Sequence, residues 1–285
     1  MDQTNLPPEN QDPFYRPVPY PEILPQTDLP GPKQALYLFA FCLLFVAMVG
    51  SLLQIWHRQI GLVLTEILYI FLPALVYAKS LRLNFRKTFR LTPINFKTAC
   101  VTVLMTGATF ILVAQFAIFQ ERFIPTPPEY AKSLAEFLLN FKGFSLIWGI
   151  ILLAVLPGIC EEILFRGFIL SGFLKGFHKK TAIILTGILF GIIHLDIYRF
   201  IPTSLLGVLF GYLVVKTGSI LTGILAHITN NSIILILAQV VPPEGINMAV
   251  EEPKQIPILL LLTACMTLVL SFRAMDRVGA VSDSL

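Results

Sequence analysis

Charge is what this chain has least of: 13% of its 285 residues are Asp, Glu, Lys or Arg, against 55% hydrophobic residues. Soluble globular domains carry about 25% charged residues, so a soluble enzyme or carrier is excluded. The mean hydropathy of +0.76 agrees. Cysteine is also sparse. Cys42, Cys100, Cys160 and Cys265 make no CxxC pair and fall in or beside apolar segments, so they give no sign of a disulfide framework or a zinc ribbon. A thiol nucleophile at Cys160 is disfavoured, because a thiol among apolar neighbours stays protonated. Neither HExxH nor HxxxH occurs, so no single helix supplies a metalloprotease pair. The start of the chain lacks a basic stretch followed by an early apolar one, and no cleavable signal peptide is expected. The apolar runs are continuous rather than alternating, which excludes a transmembrane barrel.

What is present is a series of long apolar runs, at about 34–56, 60–78, 98–119, 144–171, 181–197, 201–215, 219–241 and 256–272. Each is close to the ~20 residues that a membrane span needs. They predict an all-α polytopic membrane bundle of about eight transmembrane helices. Residues 1–33 are rich in proline and cannot bury a core, so a disordered, partly polyproline tail is expected there. The chain then divides into N-terminal helices (34–143), a segment that holds the polar motifs (144–241), and an outer loop, last helix and short tail (242–285). The basic loop 79–97 belongs in the cytoplasm by the positive-inside rule. Alternation then puts Lys175, Lys179, Lys180, Lys216, Arg273, Arg277 and both termini on the same side, which suits an integral protein of the plasma (inner) membrane.

Against this apolar background the sequence Pro157-Gly158-Ile159-Cys160-Glu161-Glu162-Ile163-Leu164-Phe165-Arg166 stands out. An ionised side chain in hydrocarbon costs roughly 2.5–3.5 kcal/mol, so three within six residues need a reason. Glu162 and Arg166 stand four apart with the acid first, the favourable order for a pair along one helix. Glu161 points about 100° away and has no local partner. Glu66, in the second span, is a further intramembrane acid and is expected to hydrogen-bond at a helix interface.

Two other spans bring polar groups to similar depth. Phe190 and His194 share one helix face, and so do His227 and Asn231. At 1.5 Å per residue, Glu161 lies about 16 Å below the outer boundary, while His194 and His227 lie about 20 and 12 Å above the inner one. A lone histidine in a membrane often serves only to hydrogen-bond between helices. Two of the four histidines at the depth of the clustered acids argue for a site.

Glu161, two imidazoles and an amide suffice to hydrolyse an acyl bond. A carboxylate in apolar surroundings can act as general base, an imidazole can share the proton of the attacking water, and His227 and Asn231 can donate to the oxyanion. Zinc is the alternative: Glu161, His194 and His227 make the two-imidazole, one-carboxylate set that it accepts. Asn231 tilts the choice toward the first, since an amide is a poor zinc ligand and a good oxyanion donor. A proton- or ion-coupled transporter would also use membrane Glu and His residues, but no duplicated pair of broken helices is visible.

Glu161-Glu162-x-x-x-Arg166, Phe190-x-x-x-His194 and His227-x-x-x-Asn231 resemble, in order, the three motifs of the CAAX protease and bacteriocin-processing (CPBP, or Abi) family of intramembrane endopeptidases. The resemblance covers roughly residues 144–241. It implies Glu161 as general base, His194 aiding water activation, His227 and Asn231 stabilising the intermediate, and Glu162, Arg166 and Phe190 in support. It implies a membrane peptide or lipidated protein as substrate and leaves the metal open, since members are described both as metalloproteases and as glutamate proteases. A non-catalytic immunity protein of the same fold is the other family role. The bilayer is the expected environment, and nucleic acid is not an expected partner.

Overall fold

Hydrocarbon offers backbone amides no partner, so apolar runs of this length must close their hydrogen bonds within helices. The computed structural model describes residues 28–141, 143, 145–240 and 255–282, and among them there are helices and no strand. We label the helices α1 (Pro32–Trp56), α2 (Arg58–Ser80), the short α3 (Phe85–Thr88), α4 (Phe96–Gln120) and α5 (Pro128–Leu139). They continue as α6 (Ser145–Gly176), α7 (Lys179–Ile193), α8 (Phe200–Thr217), α9 (Ile220–Val240) and α10 (Ile258–Ser282). Of the expected disordered tail, residues 1–27 lie outside the described residues, as does most of the outer loop.

Seven of these helices are long and apolar enough to cross a membrane. The eighth expected span is different. α7 has 15 residues and ends at Ile193, where the apolar run predicts continuation to 197. At 1.5 Å per residue it measures about 22 Å, short of the ~30 Å hydrocarbon layer. His194 caps it, and Leu195 turns the chain in the left-handed region at φ 53°. Hydropathy alone cannot see this stop, because Leu195 and Ile197 are as apolar as the helix before them. The sequence reading also places no element between 119 and 144, where α5 lies.

The connections gather at two ends of the bundle, as the alternation predicts. At one end Lys87 pairs with Asp28 at 2.7 Å, Ser171 bonds Thr88 O at 2.8 Å, Ile220 N bonds Arg90 O at 3.0 Å and Lys216 pairs with Asp276 at 2.8 Å. At the other, Gln120 donates to Tyr198 O at 2.8 Å, Tyr130 donates to Asp196, and Arg58 reaches Ser133 O at 3.4 Å. We call them the basic-loop end and the Arg58 end.

Two features position the polar residues. α7 and α8 touch through small residues: a Cβ on Gly207 would lie 2.9 Å from Gly187 Cα, and such contacts let membrane helices approach closely. α6 is interrupted by π-helical turns at Ile151–Val155 and Ile163–Ile169, which flank the stretch that carries both glutamates. The i→i+5 bonding of a π turn shifts the helical phase and is frequent at functional sites.

Candidate active site

Glu162 and Arg166 form the expected pair, with Arg166 Nη1 2.7 Å from Glu162 Oε1 and both side chains fully buried. Arg166 spends Nη2 on Gly207 O at 2.9 Å and lies over the Phe190 ring, 4.4 Å from its centroid. Glu162 Oε1 also accepts from His227 Nδ1 at 3.1 Å. Gly223 makes room for this carboxylate, since a Cβ there would stand 2.6 Å from Glu162 Oε2. Glu162 therefore ties α6 to α9 and orients the His227 ring.

Glu161 faces the other way, into a cavity of about 510 Å³ that His194, His227 and Asn231 also line. His227 Nε2 is 4.0 Å from Glu161 Oε2. His194 Nδ1 donates to Phe190 O at 2.8 Å. A neutral imidazole with Nδ1 protonated presents Nε2 as an acceptor. Asn231 Nδ2 donates to Leu153 O at 2.9 Å. That carbonyl is available because Pro157, four residues on, has no N–H to offer it. A second N–H of Asn231 remains. The structure thus brings Glu161, His194, His227, Asn231 and Phe190 to one place, while Glu162 and Arg166 stand behind them.

Phe190 is the hub of the packing. Its ring meets those of Phe165, His194 and His227 at 5.1, 5.1 and 5.6 Å, each edge to face. Phe210 stacks on His227 at 5.4 Å. Sequence reasoning missed Phe210: one phenylalanine among 23, it has no motif to single it out. Glu66 reaches further into the site than a helix-interface role requires. It lines the same cavity, and its carboxyl lies within hydrogen-bonding reach of that of Glu161. Cys160 is buried and does not line the cavity.

The metal candidates Glu161, His194 and His227 line the same cavity. Glu161 and His227 are near enough to share an ion, but a catalytic zinc takes three protein ligands. Among the described residues no three His, Cys, Asp or Glu side chains are placed to hold one.

At the Arg58 end the cavity is bordered by α5, whose Leu134, Phe137 and Leu138 line it. Gln239 donates to Leu138 O at 2.8 Å, and Tyr130 donates to Asp196. Burial and then that carboxylate push the Tyr130 phenol up to about 12, so it stays a donor at neutral pH. Residues 143–233 match the family described as type II CAAX prenyl endopeptidase, Rce1-like, in agreement with the family that the three motifs resemble. No curated protein and no solved structure matches the chain.

Proposed function

We propose that this membrane protein is an intramembrane endopeptidase that cleaves a membrane-embedded or lipidated, CAAX-like substrate, with Glu161 as general base. The observation that carries the reading is the division between the two adjacent acids. Glu162 is consumed by Arg166 and His227, whereas Glu161 stands outside that ion pair, in a cavity shared with Glu66 and two imidazoles. A carboxylate on a cavity wall, outside the buried ion pair, is the one placed to hold a reacting water and take its proton. The match to CAAX prenyl endopeptidases supports the same class of chemistry.

In the proposed reaction a water held between Glu161 and His194 Nε2 attacks the scissile carbonyl carbon as Glu161 takes its proton. The oxyanion is met by the remaining N–H of Asn231 and by His227 in its imidazolium form, whose Nδ1–H stays on Glu162 and whose Nε2–H donates, contacts of a kind worth about 2.7–4 kcal/mol each where one has been removed. Glu161 returns the proton to the leaving amine as the C–N bond breaks. The α6 and α9 carboxylate–imidazole link holds His227 in place throughout. The reaction as written needs no metal as electrophile.

The test uses purified protein with a mixed library of prenylated and unprenylated peptides. Products should form with the wild type, be absent with Glu161→Ala and persist under a strong chelator. Equal turnover by Glu161→Ala would overturn the assignment. Activity lost on chelation and regained with zinc would turn Glu161 and the imidazoles into metal ligands and leave a peptidase.

A further inference from the structure

The reaction above leaves one buried acid without a role. Glu66 is as buried as Glu161, each 7% exposed, and it lies outside the three motifs. It stands in a π-helical turn of α2, Thr65–Phe71, which packs against the Leu156–Glu162 stretch of α6. α6 has π turns on both sides of that stretch. Both helices therefore depart from regular α geometry where they present an acid to the cavity, a departure frequent at functional sites.

The two carboxyls lie within hydrogen-bonding reach of each other. Among the described residues no N–H and no hydroxyl reaches either of the buried atoms Glu66 Oε2 and Glu161 Oε2. His227 Nε2, 4.0 Å from Glu161 Oε2, is beyond hydrogen-bond distance. Two ionised carboxylates are acceptors only and repel each other, whereas one proton between them turns one into a donor. The O–H···O⁻ bond so formed is among the strong ones. A single proton then satisfies both buried oxygens. Its place follows from the surroundings. Glu161 has the His227 ring beside it, and the Arg166 guanidinium is near enough to act on it. The charge that acts on Glu66 is that of Glu161, and Leu62 and Ile70, one turn before and after it on α2, line the same cavity. The negative charge belongs on Glu161 and the proton on Glu66.

We propose that Glu66 carries the proton of this pair and donates it to Glu161 Oε2, which makes Glu66 a positioning residue for the general base. The role of Glu161 in it rests on the peptidase reading above. The bond holds Oε2 toward α2 and leaves Oε1 for the water shared with His194. During hydrolysis the proton of the water goes to Glu161 Oε1 and from there to the leaving amine. Glu66 keeps its own proton, so the pair ends as it began. A glutamine amide can donate the same bond from the same place, and a leucine cannot.

Infrared spectra of the full-length protein in an ester-free detergent read the shared proton independently of turnover. The wild type should show the C=O stretch of a protonated carboxyl, and Glu66→Gln should remove it. Glu161→Gln should keep that band and move it to higher wavenumber, because its proton then meets an amide in place of a charged acceptor. No band in the wild type, a band that survives Glu66→Gln, or one that stays in place in Glu161→Gln would overturn the proposal. Turnover of the library peptides that the wild type cleaves reads the consequence. Glu66→Leu should lower kcat about tenfold or more at a KM within about twofold of the parent, the scale of a hydrogen bond to a charged group. Glu66→Gln should recover most of that loss, and both variants should melt near the parent. Parental kcat in Glu66→Leu, or equal losses in the two variants, would overturn the positioning role. If the bands behave as expected and the wild type cleaves nothing, the proton-sharing pair stands and the peptidase reading falls. Turnover by a wild type that lacks the band leaves the peptidase and removes the pair.

Discussion

Glu161 and Glu162 are neighbours in sequence with opposite bonding, and one substitution at each should separate their roles. Glu162→Gln removes the charge that Arg166 and His227 share. Stranding a buried arginine costs roughly 3–5 kcal/mol, so this variant should express poorly and melt well below the parent in detergent. Glu161→Gln changes a carboxylate outside that ion pair, and the Gln amide can still hydrogen-bond the neighbouring Glu66 carboxyl. It should melt like the parent and show no turnover. Equal loss of folded protein for both would sink the division. The Glu162–Arg166 pair was legible from its four-residue spacing alone. The third partner, His227, was not, because it lies 65 positions away in the chain and only the packing of α9 on α6 brings it there.

At the scale of elements, the site depends on how closely α9 approaches the glutamates, and Gly223 sets that approach. A Cβ there would meet Glu162 Oε2 at 2.6 Å and Val214 Cγ2 at 2.9 Å. Glu162 cannot give way without loosening Arg166 and His227. Gly223→Ala should therefore cost about 1–3 kcal/mol, in the range of overpacked cores, and lower turnover by tilting His227. Gly211→Ala is the control: its nearest new contact is Ile183 Cγ2 at 3.4 Å, an ordinary one. Melting temperature and turnover of the two variants side by side decide the matter, and equal behaviour would discard the argument. Long apolar helices were legible because length and hydropathy suffice for them. The early stop of α7, the amphipathic α5 and the π turns of α6 were not, since each is decided by contacts between elements distant in sequence. Glu66 shows the same limit. Its burial was readable, but its meeting with Glu161 depends on the packing of α2 against α6.

For the whole molecule, the two ends of the bundle are chemically unlike, and that difference predicts how it sits in a membrane. The basic-loop end gathers Lys79, Arg82, Arg86, Lys87, Arg90, Lys97 and the lysines from 175 to 180. The Arg58 end carries the mouth of the polar cavity, bordered by α5 and the turn after α7. Lys and Arg are retained on the cytoplasmic side of short loops, so we expect the basic-loop end to face the cytoplasm and the cavity to be reached from the opposite side. A shortened α7 fits this arrangement, because the hydrocarbon it leaves unspanned lies at the Arg58 end, where water and a peptide can approach Glu161 without crossing the full layer. Labelling settles the orientation. With the four native cysteines replaced, single cysteines at exposed Glu129 on α5 and exposed Lys87 on α3 would be treated in intact cells with a membrane-impermeant maleimide. Glu129→Cys should label at once and Lys87→Cys only after the membrane is opened. The reverse pattern would place the cavity mouth in the cytoplasm, and substrates would then approach Glu161 from that side.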